Sequence, residues 1–274
     1  MELIDAVFPL AAMMLATGIV AGLLAGLLGV GGGIVIVPVL DTALGLYGIE
    51  PAIRMHVAVA TSLTCIIFTS ISSTRAHHAK GAVDLGLVKV WGPAVLMGSL
   101  LGAIGAAFVD SQVLSAVFGV VALLVALKML LPLDNLTLSR DVPRGLAAPF
   151  PPLAIGGLSS MMGIGGGTLS VPVLTLMNQP IHRAVGTAAL FGLLISLPGA
   201  FGFAYSGWGD ARLPPGSLGY INLIGVALIA PVTVVMAPLG AKLAHRLDKR
   251  RLSMLFGFFL LLVAGRMLYR TLLA

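Results

Sequence analysis

Between Val7 and Leu40 the chain carries no Asp, Glu, Lys or Arg. A run this long is foreign to soluble domains, in which about a quarter of residues are charged. It also exceeds the roughly 20 apolar residues that carry a helix across a bilayer. Gly186 to Gly209 is a second such run, and over all 274 residues 58% are hydrophobic and 9% charged. Several spans follow, so the expected fold class is an all-α polytopic membrane protein. The net charge of +6 would raise nucleic acid as a partner for a soluble protein. Here Lys and Arg gather in short loops, as the positive-inside rule places them, so the expected surroundings are membrane lipid and no nucleic acid. The lone cysteine, Cys65, excludes an internal disulfide. The opening MELIDAVFPL lacks the basic region of a signal peptide, so its segment is read as retained.

Hydropathy and helix breakers divide the chain into ten helical segments. The first five are 8–28, 34–47, 53–74, 85–108 and 112–132; the second five are 147–163, 168–178, 182–205, 216–243 and 251–271. Pro and polar residues crowd Pro132 to Pro152, which sets a first repeat at 1–133, a linker at 134–149 and a second repeat at 150–274. The repeats are legible in the residues themselves. GVGGGIVIVPVL, Gly29 to Leu40, matches GIGGGTLSVPVL, Gly163 to Leu174, at an offset of 134. AVATSL, Ala58 to Leu63, matches AVGTAA, Ala184 to Ala189, at an offset of 126, which pairs Thr61 with Thr187 and Ser70 with Ser196. Pro93, Gly102, Phe118 and Gly119 recur as Pro231, Gly240, Phe256 and Gly257 at an offset of 138. The chain is an internal duplication with length changes in its loops.

Charge sets the orientation of the two copies. The loop after the third segment holds Arg75, His77, His78, Lys80 and Lys89, whereas its counterpart SGWGDARLPPGS holds Asp210 and Arg212. After the fourth segment the bias reverses: Asp110 stands alone, against Lys242, Arg246, Lys249, Arg250 and Arg251. Opposite bias in equivalent loops implies two inverted five-segment repeats, with both termini outside. Lys128 and Arg266 occupy matching places and fit this scheme poorly.

The glycine triplets carry the functional expectation. Inside a bilayer every freed backbone group must be satisfied by protein or by water in a cavity. A half-helix opening on bare N–H groups, at the positive end of its dipole, can hold an anion without Arg or Lys. Segments 34–47 and 168–178 are too short to cross untilted, and two broken segments at corresponding places mark a transporter site near the midplane. The alternative use of the glycines is close helix packing. The candidate binding residues are therefore Gly31, Gly32 and Gly33 with Gly165, Gly166 and Gly167, together with Thr168 at the second opening. Thr61, Ser62, Thr187 and Ser196 are placed to flank them, although membrane hydroxyls also bond their own helix. Cys65, four residues past Thr61, shares its face.

The triplets and the following AVATS and AVGTA resemble the sulfite exporter TauE/SafE family, also called the 4-toluene sulfonate uptake permease family, and RAHHAKGAVDLGLV is similar to its basic loop. The resemblance spans the chain and implies a small sulfur-containing anion as substrate and a multi-pass place in a bacterial inner membrane. The second copy departs from the family's Gly-Thr-Ser pattern at Ala188. An anion channel on the same scaffold and a membrane accessory protein of sulfur metabolism stay open beside the transporter.

The other chemistry-bearing residues read as structural. His56 and His182, beside Arg54 and Arg183, are expected as interfacial charges, and Trp91 and Trp208 as interface anchors. His77 and His78 lack partners at ligand spacing, so no metal is expected; nor is a cofactor, a catalytic constellation or a P-loop. All ten acidic residues, Asp41 included, are expected at segment ends or in loops. Nothing here fixes the oligomeric state.

Overall fold

The computed structural model describes residues 2–29, 31–131, 149–243 and 249–273. Ten helices appear among them: α1 (Glu2–Leu28), α2 (Gly33–Leu46), α3 (Pro51–His78), α4 (Leu85–Ala106), α5 (Ser111–Leu130), α6 (Phe150–Met161), α7 (Gly167–Leu176), α8 (Ile181–Ser206), α9 (Leu223–Leu243) and α10 (Lys249–Leu273). Five of these, α3, α4, α5, α8 and α9, are long and apolar enough to cross a membrane. The protein is an all-α, multi-pass membrane protein. The expected linker at 134–149 lies outside the described residues except for Pro149, as does the loop at 244–248.

The half-helices are as short as their sequences require. At 14 and 10 residues, α2 and α7 reach only about 21 and 15 Å through a hydrocarbon core of roughly 30 Å. One expected boundary is corrected. Residues 216–222 do not open a helix but form a small hairpin, with Ser217–Leu218 antiparallel to Ile221–Asn222. Gly216 and Gly219 hold φ of 77° and 54°, outside the helical region. The Asn222 carboxamide then caps α9 by accepting from the Gly225 N–H at 2.7 Å.

Helices of the two halves interleave. α1 packs on α9, α4 on α6, α5 on α10 and α3 on α8. Exchanging every helix for the one five places along leaves this pairing unchanged. Small residues make the crossings close, as in membrane bundles generally. A Cβ on Gly26 of α1 would run into the Ala237 carbonyl of α9, and one on Gly98 of α4 into the Leu153 carbonyl of α6. At the centre, Gly186 faces Ala82, Gly192 faces Ser70 and Gly199 faces Leu63. Numbers rise along α8 as they fall toward the start of α3, so these two helices lie antiparallel.

The connecting loops separate accordingly. After α3, Lys80 donates to the Ala241 carbonyl at the end of α9, 3.3 Å away. After α8, Arg212 lies 3.8 Å from Glu50, at the start of α3. Loops 79–84 and 207–222 thus sit at opposite ends of the molecule.

Candidate functional site

Each glycine break turns the chain tightly before its half-helix. Gly29 and Gly163 share the left-handed conformation, with φ of 67° and 66°. Gly31 and Gly32 continue it at 73° and 80°, a cheap conformation only for glycine, and α2 starts at Gly33. The second break recovers helical geometry sooner: Gly166 has φ −52° and ψ −27° before α7.

The two breaks meet. A Cβ on Gly31 would stand 3.0 Å from the Gly165 Cα, and one on Gly33 would collide with the Gly163 carbonyl. Ser62 of α3 ties them further, donating to that carbonyl at 2.7 Å. Ile66, one turn along, presses its methyls toward Gly31 and Gly33. All six triplet glycines are buried. They serve close backbone approach at the centre of the bundle, and the same approach brings the openings of α2 and α7 together.

The two threonines have a defined task. Thr61 Oγ1 accepts from the Asn222 N–H at 2.9 Å, and Thr187 Oγ1 accepts from the Asp84 N–H at 2.9 Å. Asn222 and Asp84 are themselves equivalent at the offset of 138, and each caps its helix: Asn222 as above, and Asp84 by accepting from the Leu87 N–H at 2.9 Å. Each threonine therefore holds the start of the other half's fourth helix. Cys65 lies between Thr61 and Thr69 on one face of α3. Thr69 donates to Thr233 of α9 at 2.7 Å, so this face meets α9, whereas Val59, Ser62 and Ile66 meet the breaks. The Cys65 side chain is fully buried.

The far ends of the half-helices are held by cations. Lys128 of α5 donates to the Pro172 carbonyl of α7 at 3.0 Å and to Thr175 at 3.2 Å. Its counterpart Arg266 of α10 donates to Thr42 of α2 at 2.6 Å. This is the task of the two cations that fit no loop. Asp41 is corrected from a segment end to the interior of α2, where it is buried and accepts from Arg54 Nε at 2.7 Å; such a charge is tolerable in a membrane segment only when paired.

His56 is likewise no interfacial charge. It is buried, with Nε2 3.1 Å from the carbonyls of both Ala106 and Val109, and its ring lies 5.1 Å from that of Tyr220. His182 is exposed, as expected of its counterpart. Trp91 is no anchor: it is fully buried and stacks on Phe191 at 6.3 Å, while Trp208 is exposed. At the α3 start the 207–222 loop carries an ion cluster. Arg212 beside Asp210 holds that carboxyl down to about 2, and burial pushes the Tyr220 phenol up. Among the described residues no group of three or more His, Cys, Asp or Glu could hold a metal ion.

Sequence reading of the candidates overlooked several hydroxyls. Ser70 of α3, Ser159 and Ser160 of α6, and Ser170 of α7 are buried without a hydrogen-bond partner, as is the expected candidate Thr168. A signal for them existed in the offset of 134, which sets Ala25, Gly26, Ile34 and Ile36 opposite Ser159, Ser160, Thr168 and Ser170.

The chain is similar along most of its length to known proteins. The family model for sulfite exporter TauE/SafE matches residues 14–267. A probable membrane transporter protein of Haemophilus influenzae is 34% identical over 257 residues, covering 93% of this chain and 97% of the relative. The probable membrane transporter protein YunE of Bacillus subtilis is 28% identical, covering 94% and 97%. One from Methanocaldococcus jannaschii is 26% identical, covering 90% and 91%. No solved structure matches the chain.

Proposed function

Because the chain belongs to the sulfite exporter TauE/SafE family, we propose that it is a secondary transporter for small sulfur oxyanions, sulfite or sulfonates, passed unchanged across a bacterial inner membrane. The observation that carries this reading is the contact of the two glycine breaks, Gly31 against Gly165. It brings two half-helix openings, each the positive end of a dipole, to one place in the bundle core. The antiparallel lie of α3 and α8 and the exchangeable helix pairing support two inverted repeats about that place. Such an arrangement suits alternating access, in which one half rocks against the other around a fixed site. Paired dipoles grip an anion weakly, each worth about 0.3–1 kcal/mol to an exposed charge and up to about 2 when partly buried. A carrier needs that weakness in order to release.

Counterflow tests the reading. Proteoliposomes preloaded with unlabelled sulfite or methanesulfonate should concentrate the labelled anion from outside faster than unloaded ones. Flux indifferent to the preloaded anion, with single-channel currents, would support the anion channel instead. Absence of flux for both anions would contradict the proposal.

A further inference from the structure

The partners of His56 decide where its protons lie. Nε2 sits 3.1 Å from the carbonyl oxygens of both Ala106 and Val109. Carbonyls only accept, so this nitrogen carries a proton. Nδ1 faces Ser111 Oγ at 3.3 Å. That hydroxyl has one proton and lies 2.6 Å from the Ala52 carbonyl, to which it donates. Toward Nδ1 the serine therefore offers a lone pair. A neutral ring would set one lone pair against another, whereas a ring protonated on both nitrogens completes every bond.

Burial opposes a charge at this place, but several neighbours favour one. Ala106 is the last residue of α4, so its carbonyl lies at the negative end of that helix's dipole, where a cation is stabilised. The Tyr220 ring lies 5.1 Å away, within reach of a cation–aromatic attraction, and the Phe203 ring 6.3 Å away. Asp110, beside Val109, is exposed and adds a negative charge nearby. From the 207–222 loop Arg212 opposes the charge, but Asp210 pairs with it at 2.6 Å and Glu50 lies 3.8 Å from it. The other cation near the start of α3, Arg54, is held by Asp41 at 2.7 Å. The repeat counterpart of His56, His182, is exposed, so burial of the ring belongs to this end of the molecule.

We propose that His56 is a proton-binding site, and that its proton locks the two halves together at the end that carries the 207–222 loop. Ala52, Ala106, Val109 and Ser111 belong to the first half, Phe203 and Tyr220 to the second. Nδ1 takes its proton from water at this end, and no other bond to hydrogen is broken. When that proton returns to water, the Ser111 hydroxyl turns from the Ala52 carbonyl to the bare Nδ1. One hydrogen bond is lost, and with it the attraction of a cation for the Tyr220 ring across the two halves. This end then parts more readily. The locking rests on the transporter reading, since it opposes the rocking of one half against the other; the proton site does not.

Magnetic resonance of the full-length protein in detergent, with isotope-labelled histidine nitrogens, tests the site. The signal lost in His56→Gln is that of His56, and Ser111→Ala, which should move the same signal, keeps the assignment should the first variant not fold. Between about pH 8 and 5 the His56 signal should pass from one protonated nitrogen to two. A signal unchanged across that range would overturn the inference. Counterflow of methanesulfonate, fully ionised throughout, tests the lock with equal pH on both faces. Exchange by the wild type should slow roughly threefold to tenfold on acidification, the worth of one hydrogen bond. His56→Gln, whose amide copies the donor and acceptor of the neutral ring, should vary by less than about twofold. Equal pH profiles in the two proteins would overturn the lock. Flux absent from the wild type at every pH would contradict the transporter reading and the lock with it, while the His56 signal still judges the proton site.

Discussion

Thr61 and Thr187 show how the same chemistry reads differently before and after folding. Their recurrence in both halves told that two positions share an environment, and hydroxyls beside a glycine break suggest a ligand. The environment they share is the start of a neighbouring helix, Asn222 for one and Asp84 for the other. That partnership was written in the sequence as well, since 84 and 222 differ by the offset of 138, but only the fold brings the third helix of one half to the fourth of the other. Replacing Thr61 by valine leaves the buried Asn222 N–H without its acceptor, which costs about 1–3 kcal/mol, and Thr187→Val does the same to the half-buried Asp84 N–H at a smaller cost. Thermal unfolding in detergent should show that loss for Thr61→Val and Thr187→Val separately, and wild-type stability in both would refute the assignment. Asp210 marks a different limit. Its carboxyl is depressed to about 2 by Arg212. Whatever that link contributes is present above the ordinary carboxylate range and disappears as pH falls through about 2, so a transport response near neutral pH cannot come from this group.

At the scale of the element, the half-helices were legible because glycine and length are local properties. Three glycines break a helix wherever they occur, and a segment of 10 to 14 residues cannot cross. The hairpin at 217–222 was not legible, because Leu218, Tyr220 and Ile221 continue the apolar character of α9 while the turn depends on two left-handed glycines and an asparagine cap. What anchors the half-helices was also hidden. Lys128 and Arg266 look misplaced as loop charges, yet each reaches the half-helix of the other repeat, at its C-terminal part, where a cation complements the dipole. Lys128→Met should therefore cost roughly 1.5–3 kcal/mol, the range for hydrogen bonds to charged groups, and Lys128→Arg much less. Equal stability of the Met and Arg variants would show that the aliphatic stem, not the charge, does the holding.

For the whole molecule, the number of segments, the duplication and the expected opposition of the halves all came from patterns along the chain. The interleaving did not. α1 packs on α9 and α4 on α6, but helices that are apolar on every side give no facing stripe from which partners could be chosen. Only the small residues, such as Gly26 against Ala237 and Gly98 against Leu153, single out the contacts, and their meaning depends on knowing both sides. The loops at 79–84 and 207–222 follow equivalent helices, α3 and α8, and stand at opposite ends of the molecule. Impermeant maleimide labelling of intact cells tests this opposition most directly, with cysteines introduced singly at Ala79 and Trp208 in a Cys65→Ala background. Two halves standing in opposite senses predict that Trp208→Cys labels from the medium and Ala79→Cys labels only after the membrane is opened. Labelling of both from the medium would contradict it and dissolve the shared site between the glycine breaks.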